Sequence, residues 1–372
     1  MALSVNADGE IKELVATGKF PQFDVVGDES DHHYFHGNKS VKENGVKDPD
    51  CFSIASSEVH KKIMKEWRVL ERNLPDSIYV RVYERRIDLL RAAIVGPAGT
   101  PYHDGLFFFD LAFPSDYPTR PPQVTYRSFG IRLNPNLYAS GFVCLSLLNT
   151  WFGKAKEKWN PAESTVLQVL VSIQGLVLNR EPYFNEPSIG HFPGQGRKST
   201  AYSEKAFVMS CKTMVYLLRN PPKNFEDLVA WHFRERAQHI FAACNAYMEG
   251  RVKVGCYPET GLVSPSSRVH VSSNFKAMMK SWYPEMAVAF GITGASIGNF
   301  AEEVVVESNT SCFSGVGAKK EELATSSEAD TGAMNKKIKL GIRKVIRKLK
   351  NVLGLKKVGE KESGGIKLNL AG

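Results

Sequence analysis

Cys144 carries a thiol eight residues beyond Asn136, in the run Asn134-Pro135-Asn136-Leu137-Tyr138-Ala139-Ser140-Gly141-Phe142-Val143-Cys144-Leu145. A thiol accepts an acyl group, and a side-chain amide N–H can stabilise the oxyanion formed when that acyl group is attacked. Such chemistry needs fixed local geometry. Pro135 restricts the backbone at one point and Gly141 frees it at another. The bland reading of Asn136 is a turn residue bonded to its own backbone. The bland reading of a cysteine is a small buried hydrophobe. Of the six cysteines, at 51, 144, 211, 244, 256 and 312, only Cys144 has neighbours that lift it above that reading. No pair has C-x-x-C spacing, so no structural zinc site is expected. A cysteine hydrolase would need a positioned imidazole. His191 is the candidate, and nothing in the sequence links it to Cys144.

The elements that must hold this loop are readable on either side of it. A charged, amphipathic helix is expected from Ser56 or Ser57 as cap, with Val59, Ile63, Met64, Trp67 and Leu70 on its apolar side and Leu74-Pro75 ending it. Strands are expected at Ile78–Tyr83, Leu89–Val95, 106–113 and Gln123–Tyr126. Short turns join them, which predicts a four-stranded antiparallel meander. The stretch Phe113-Pro114-Ser115-Asp116-Tyr117-Pro118-Thr119-Arg120-Pro121-Pro122 is expected to be a rigid connector, because proline is excluded from central strands. Helices are expected at 164–178, 204–218 and 224–248, the first of them apolar on most faces and therefore buried. Strands first and helices later is α+β order.

Outside this unit the composition changes. Residues 1–56 are rich in Asp, His, Gly, Ser and Asn and are expected to be a disordered N-terminal segment. Residues 57–250 form the expected catalytic domain, and 251–334 a low-complexity linker. Residues 335–356 have helical period, with Ile338, Ile342, Val345, Ile346, Leu349, Val352 and Leu353 on one side and basic residues mostly opposite. Residues 357–372 are expected to be a disordered tail. The net charge is +9, but residues 336–367 alone hold twelve Lys/Arg against two Glu, a balance of +10 that leaves −1 for the rest. The basic character therefore belongs to the tail and gives no reason to read the core as a nucleic-acid binder. The tail helix is expected to meet an anionic membrane surface or an acidic partner, with a nuclear-import or nucleic-acid segment or a calmodulin-type target as the alternatives. No run approaches the roughly 20 apolar residues of a membrane span. The first residues lack an apolar signal core. A reducing, cytoplasmic setting with free thiols is the expectation, with membrane or nuclear association through the tail.

Across about residues 57–250 the chain resembles the ubiquitin-conjugating enzymes. The resemblance is carried by the amphipathic first helix, the meander, Tyr117-Pro118-x-x-Pro121-Pro122, Pro135-Asn136 followed by Gly-x-Val-Cys-Leu, and the later Trp159-x-Pro161-Ala162, all in the family's order. Asn134 stands where the family pattern has His, and fifteen positions separate Cys144 from Trp159, a longer gap than usual. With the run Arg180-Glu181-Pro182-Tyr183-Phe184-Asn185-Glu186-Pro187, these departures resemble the large branch. That branch includes the plant phosphate-homeostasis type and the hybrid conjugase–ligase type.

The resemblance implies a set of roles. Cys144 would take ubiquitin's C-terminal carboxyl from the activating enzyme as a thioester, and a lysine of a protein substrate would then attack it. The chain would bind no cofactor or metal, since ATP is used by the activating enzyme. Asn136 would support the oxyanion or the loop, and Glu186 would be the acid that gates the lysine. Asn134, Pro135 and Gly141 would shape the loop. Lys61, Lys62 and Lys65 would face the activating enzyme. Pro161 and Ala162 would serve a RING-type ligase, with Thr119 weakening that contact because a large apolar residue is usual there. The alternative is a catalytically weak scaffold of the same fold that binds ubiquitin or a ligase.

Overall fold

The computed structural model describes residues 20–35, 57–186, 189, 194–263 and 268–295. The first helix, α1 (Glu58–Asn73), starts where Ser57 accepts the His60 N–H at 3.1 Å. It stops at Leu74, whose extended backbone is what a following proline requires. Ile63, Glu66 and Leu70 lie one or two turns apart and form its buried side.

Strands β2 (Ile78–Tyr83), β3 (Leu89–Val95), β4 (Leu106–Ala112) and β5 (Gln123–Tyr126) follow in antiparallel order. The sheet has a fifth member. Phe23–Val26 forms β1 and pairs parallel with β2, giving the order β1-β2-β3-β4-β5. The expected four-stranded antiparallel meander is present as β2 to β5, and the parallel β1, which the sequence reading did not include, extends it to a mixed five-stranded sheet of the α+β class. The expectation of disorder over 1–56 is corrected for residues 20–35. The rest of that segment lies outside the described residues, as do 335–356 and 357–372.

Both faces of the sheet are covered. Val80, Val82, Leu90, Ala92, Ile94, Phe107, Phe109 and Leu111 face one core, shared with α1 and with Val166, Val169 and Leu170 of α2 (Val166–Ser172). The expected helix over 164–178 thus exists as α2 followed by a wider turn at Ile173–Val177. Ala93, Leu106 and Phe108 face a second core. That core is built with α3 (Gly196–Arg219), α4 (Glu226–Met248) and α5 (Ser273–Gly291). Helix α5 corrects the linker expectation. Ser272 caps it by accepting the Phe275 N–H at 3.1 Å, and Phe275, Met279, Met286 and Phe290 are fully buried. The packed unit therefore reaches well past residue 250.

Polar groups fasten the segments flanking β1 to the sheet and to the second face. Arg81 lies over the rings of Phe20 and Phe225, at 4.3 and 5.1 Å. Arg91 grips Asp110 through Nε and Nη2 at 2.6 and 2.9 Å and reaches Asp31 at 2.6 Å. Lys223 binds Asp28 at 2.7 Å across the chain. At the turn between β3 and β4, Asp104 accepts from His103 at 2.6 Å and from His239 of α4 at 2.9 Å. Burial pushes the Asp104 carboxyl up, but these bonds outweigh it and hold the group well below the usual carboxylate range. His103, Asp104 and His239 are close enough to share a metal ion. The Arg236 guanidinium on the same carboxylate makes the site an ion-paired clasp that disfavours a further cation.

Glu66 joins three elements. It accepts the Tyr117 hydroxyl at 2.7 Å and the Val166 N–H, at the start of α2, at 3.0 Å. Burial raises its pKa, against the pull of those two bonds. A raised carboxyl favours the folded state below its unfolded pKa and loses that contribution as pH rises through the folded value. Glu66→Gln keeps a partner for both groups without a buried charge. It should melt within about 1 kcal/mol of wild type at pH 7 and compare less well as pH falls toward 4. Glu66→Leu strands both donors and should cost about 1–3 kcal/mol at either pH. Thermal melts of the three proteins at the two pH values test this; equal losses for Gln and Leu would sink it.

Candidate active site

The loop over 134–144 hangs from β5. Tyr126 N donates to Gly141 O at 2.8 Å, and Thr125 bridges to Phe142. Gly141 has φ +90°, and a Cβ there would lie 2.8 Å from both Thr125 Cγ2 and Tyr126 O. Only glycine satisfies both the left-handed backbone and the close approach.

Asn134 organises the loop from beneath and is fully buried. Its amide donates to the Tyr102 hydroxyl at 2.7 Å and to Val177 O at 2.8 Å. Its oxygen accepts the Asn136 N–H at 2.9 Å and the Asn185 amide at 3.3 Å. This carboxamide supplies both donors and acceptors at one point, as a loop hub must. Pro135 is buried beside it.

Asn136 and Cys144 meet across the loop. The Cys144 N–H donates to Asn136 O at 2.9 Å, and the Asn136 side-chain amide donates to Cys144 O at 2.9 Å. The Asn136 side-chain oxygen is buried without a hydrogen-bond partner. The amide in this state therefore ties the loop, with one N–H of the same nitrogen left over. Cys144 is recessed, with only 3% of its surface exposed. Burial pushes its thiol up; Tyr138 and Arg132 pull it down, and Glu186 adds to the rise. A thiol so placed is a modest nucleophile at rest.

Glu186 lies 3.9 Å from Arg132 Nη2, next to Asn185, which bonds the loop hub Asn134. Pro187, which completes its motif, lies outside the described residues. The structure therefore brings Asn134, Pro135, Asn136, Gly141, Cys144 and Glu186 into one neighbourhood. Tyr138, Arg132, Tyr102 and Asn185 belong to it as well. Tyr138, inside the loop, and Asn185, inside the Arg180–Pro187 run, carried signals in the sequence; Arg132 and Tyr102 carried none.

The remaining residues lie on surfaces. Lys61, Lys62 and Lys65 are exposed on α1, with Lys61 paired to Glu58 at 2.9 Å. Thr119, Pro161 and Ala162 are exposed on two loops tied together by Trp159 Nε1 donating to Pro118 O at 2.7 Å. Trp159 also packs on Tyr117, with ring centroids 5.8 Å apart. Between Leu145 and Trp159 the longer connection forms two short 3-10 turns, Ser146–Leu148 and Ala155–Glu157. It leaves Phe152 80% exposed.

A mixed sheet backed by helices, with one recessed cysteine held on an asparagine-bonded loop, defines a class of α+β thiol proteins suited to carrying an acyl group. The family model described as ubiquitin-conjugating enzyme matches residues 62–208. The probable ubiquitin-conjugating enzyme E2 24 of Arabidopsis thaliana is 50% identical over 280 residues, covering 74% of this chain and 29% of the relative. The putative ubiquitin-conjugating enzyme E2 38 of the same plant is 53% identical over 234 residues, covering 62% of this chain and 68% of the relative. The human dual E2 ubiquitin-conjugating enzyme/E3 ubiquitin-protein ligase BIRC6 is 37% identical over 251 residues, covering 62% of this chain and 5% of the relative. The chain belongs to the ubiquitin-conjugating enzyme family, and its relatives fall in the large branch that the sequence resembles. It spans only 29%, 25% and 37% of the first three relatives it matches.

Proposed function

We propose that the chain is a ubiquitin-conjugating transferase. Cys144 attacks the thioester by which the activating enzyme holds ubiquitin. A new sulfur–carbon bond forms and the activating enzyme's thiolate leaves. A substrate lysine then attacks the carbonyl on Cys144, and the Cys144 thiolate departs. The chain needs no cofactor of its own for this exchange, because ATP is consumed upstream.

The observation that carries the reading is the reciprocal pair of 2.9 Å bonds between Asn136 and Cys144 on a glycine-pinned loop. They fix the backbone of Cys144 relative to a side-chain amide placed to support its acyl group. Glu186 stands as the acid that receives the lysine. Lys61, Lys62 and Lys65 offer a basic face to the activating enzyme. The loops bearing Thr119, Pro161 and Ala162 form the ligase face. Thr119 is a small anchor for a RING-type ligase, which favours transfer with little help from one, as in a dual conjugase–ligase such as the human relative's name describes.

Incubation with ubiquitin, activating enzyme and ATP should give an adduct cleaved by thiol reductant. Cys144→Ser should give a reductant-resistant ester instead. A wild-type protein that forms no reducible adduct would favour the scaffold alternative and end the transferase reading.

A further inference from the structure

Arg132 takes part in none of the bonds that fold the loop, yet it touches two groups that govern the thiol. Its guanidinium carbon lies 4.6 Å from the centre of the Tyr138 ring. Its Nη2 lies 3.9 Å from Glu186 Oε2, with the two side chains 52% and 39% exposed. Tyr138 sits within the Cys144 loop, its N–H donating to Phe142 O at 3.0 Å, and Asn185, next to Glu186, donates to the loop hub Asn134 at 3.3 Å. Arg132 and Glu186 also share a cleft of about 230 Å³ with Pro135, Tyr183, Tyr202 and Lys205. The pair thus borders the Cys144 loop through Pro135, and its two charges act on the thiol in opposite directions, Arg132 lowering its pKa and Glu186 raising it.

We propose that Arg132 is a positioning residue that fixes Tyr138 and Glu186 beside Cys144 and offsets the carboxylate's field at the sulfur, to be displaced from Glu186 by the incoming lysine. This rests on the thioester function proposed above. Loading needs a thiolate, which Glu186 disfavours and Arg132 favours. Discharge needs an amine near Glu186. A long, half-exposed ion pair is weak enough to exchange one cation for another. The lysine ammonium replaces the guanidinium at the carboxylate and gives up a proton to solvent. Its nitrogen then bonds to the carbonyl carbon as the carbon–sulfur bond breaks, the sulfur leaving as the Cys144 thiolate and the second nitrogen proton passing to solvent. Arginine suits the resting role because it stacks flat on an aromatic ring and keeps its charge.

The groups that act on the thiol are Tyr138, Arg132 and Glu186, with burial as the largest influence. Tyr202 and Lys205, from α3, line the cleft shared by Arg132 and Glu186. The test is the rate at which iodoacetamide alkylates Cys144 in the full chain, followed by mass spectrometry of the Cys144 peptide between pH 6 and 10. Arg132→Gln should move the midpoint up and slow alkylation at neutral pH by about two- to threefold, as expected for one charge acting through mostly solvated surroundings. Glu186→Gln should move it down by a similar factor. The double variant should return close to wild type, and Arg132→Lys should restore the midpoint. In single-turnover assays Arg132→Gln should slow loading while lowering the KM for free lysine in discharge.

Midpoints that stay fixed, or that move the same way for both single variants, would overturn the proposal. So would equal losses in loading and discharge. Alkylation needs neither ubiquitin nor activating enzyme, so its result stands whether or not an adduct forms. An adduct with unmoved midpoints removes only the role given to Arg132.

Discussion

Asn136→Ala should slow the transfer of ubiquitin from Cys144 to lysine by about 100- to 1,000-fold, the usual loss on removing one oxyanion donor. The side chain reaches the right place. Its amide nitrogen lies 2.9 Å from the Cys144 carbonyl oxygen. That nitrogen carries a second hydrogen, the one left to face a thioester oxygen on the same residue. The resting bond means that the loop also loses a tie when the side chain is truncated. The two roles separate by measurement. Enzyme preloaded with ubiquitin is mixed with excess lysine and the adduct followed with time, while a thermal melt reports on folding. An adduct that decays at the wild-type rate would rule out the catalytic role. A discharge loss that disappears at temperatures well below a depressed melting point would assign Asn136 to loop support alone.

The largest effect on stability is expected at Arg91. Its side chain is fully enclosed and is held by Asp110 and Asp31. Arg91→Leu removes the partner and leaves Asp110 buried. Breaking such a pair from one side costs about 3–5 kcal/mol, because an uncompensated charge remains. For a unit of this size the melting temperature should fall by roughly 10 °C. The pH dependence gives a second check. Burial pushes the Asp110 carboxyl up, but in the wild type the bonds from Arg91 outweigh it and bring it below the ordinary value. A depressed carboxyl contributes stability above its unfolded pKa, and that contribution is lost as pH falls through the folded value. Without Arg91 the buried carboxyl shifts upward instead, so protonation relieves the variant while it weakens the wild type. The gap between their melting temperatures should therefore narrow from pH 7 toward pH 4. A gap that stays constant over that range would contradict the assignment of the loss to Asp110.

What the sequence disclosed follows from where local signals are strong. Strands β2 to β4 carry apolar residues on both faces and β5 carries Val124 and Tyr126 on one, all with turns at both ends, and all four fall close to the predicted positions. Ser57 and Pro75 mark both ends of α1. The loop from Asn134 to Cys144 is punctuated by Pro135 and Gly141, so its function as a unit was readable. Strand β1 was not, because Phe23-Asp24-Val25-Val26 is four residues long, half exposed, and held by pairing with β2, far along the chain. Helix α5 was hidden by Ser- and Gly-rich neighbours and by Pro284 within its span. Arg132 was missed because its significance lies in a ring and a carboxylate that only folding brings near. Glu186 was identified by resemblance, whereas its pairing with Arg132 had no mark in the sequence.

The second core has a bearing on where this protein can be cut. The family match ends at residue 208, which lies inside α3, a helix that runs from Gly196 to Arg219. A fragment trimmed to that boundary would keep the thiol, the loop and the first core. It would lose Phe225, Phe233, Phe241, Phe275 and Phe290, all fully buried in the intact unit. Ala93, Leu106 and Phe108 would then face water, and a sheet stripped on one side is a surface on which chains stick to one another. The working boundary for a recombinant fragment is the end of α5 on one side and the residues before β1 on the other. The catalytic signature is thus shorter than the smallest piece of chain able to hold it in solution.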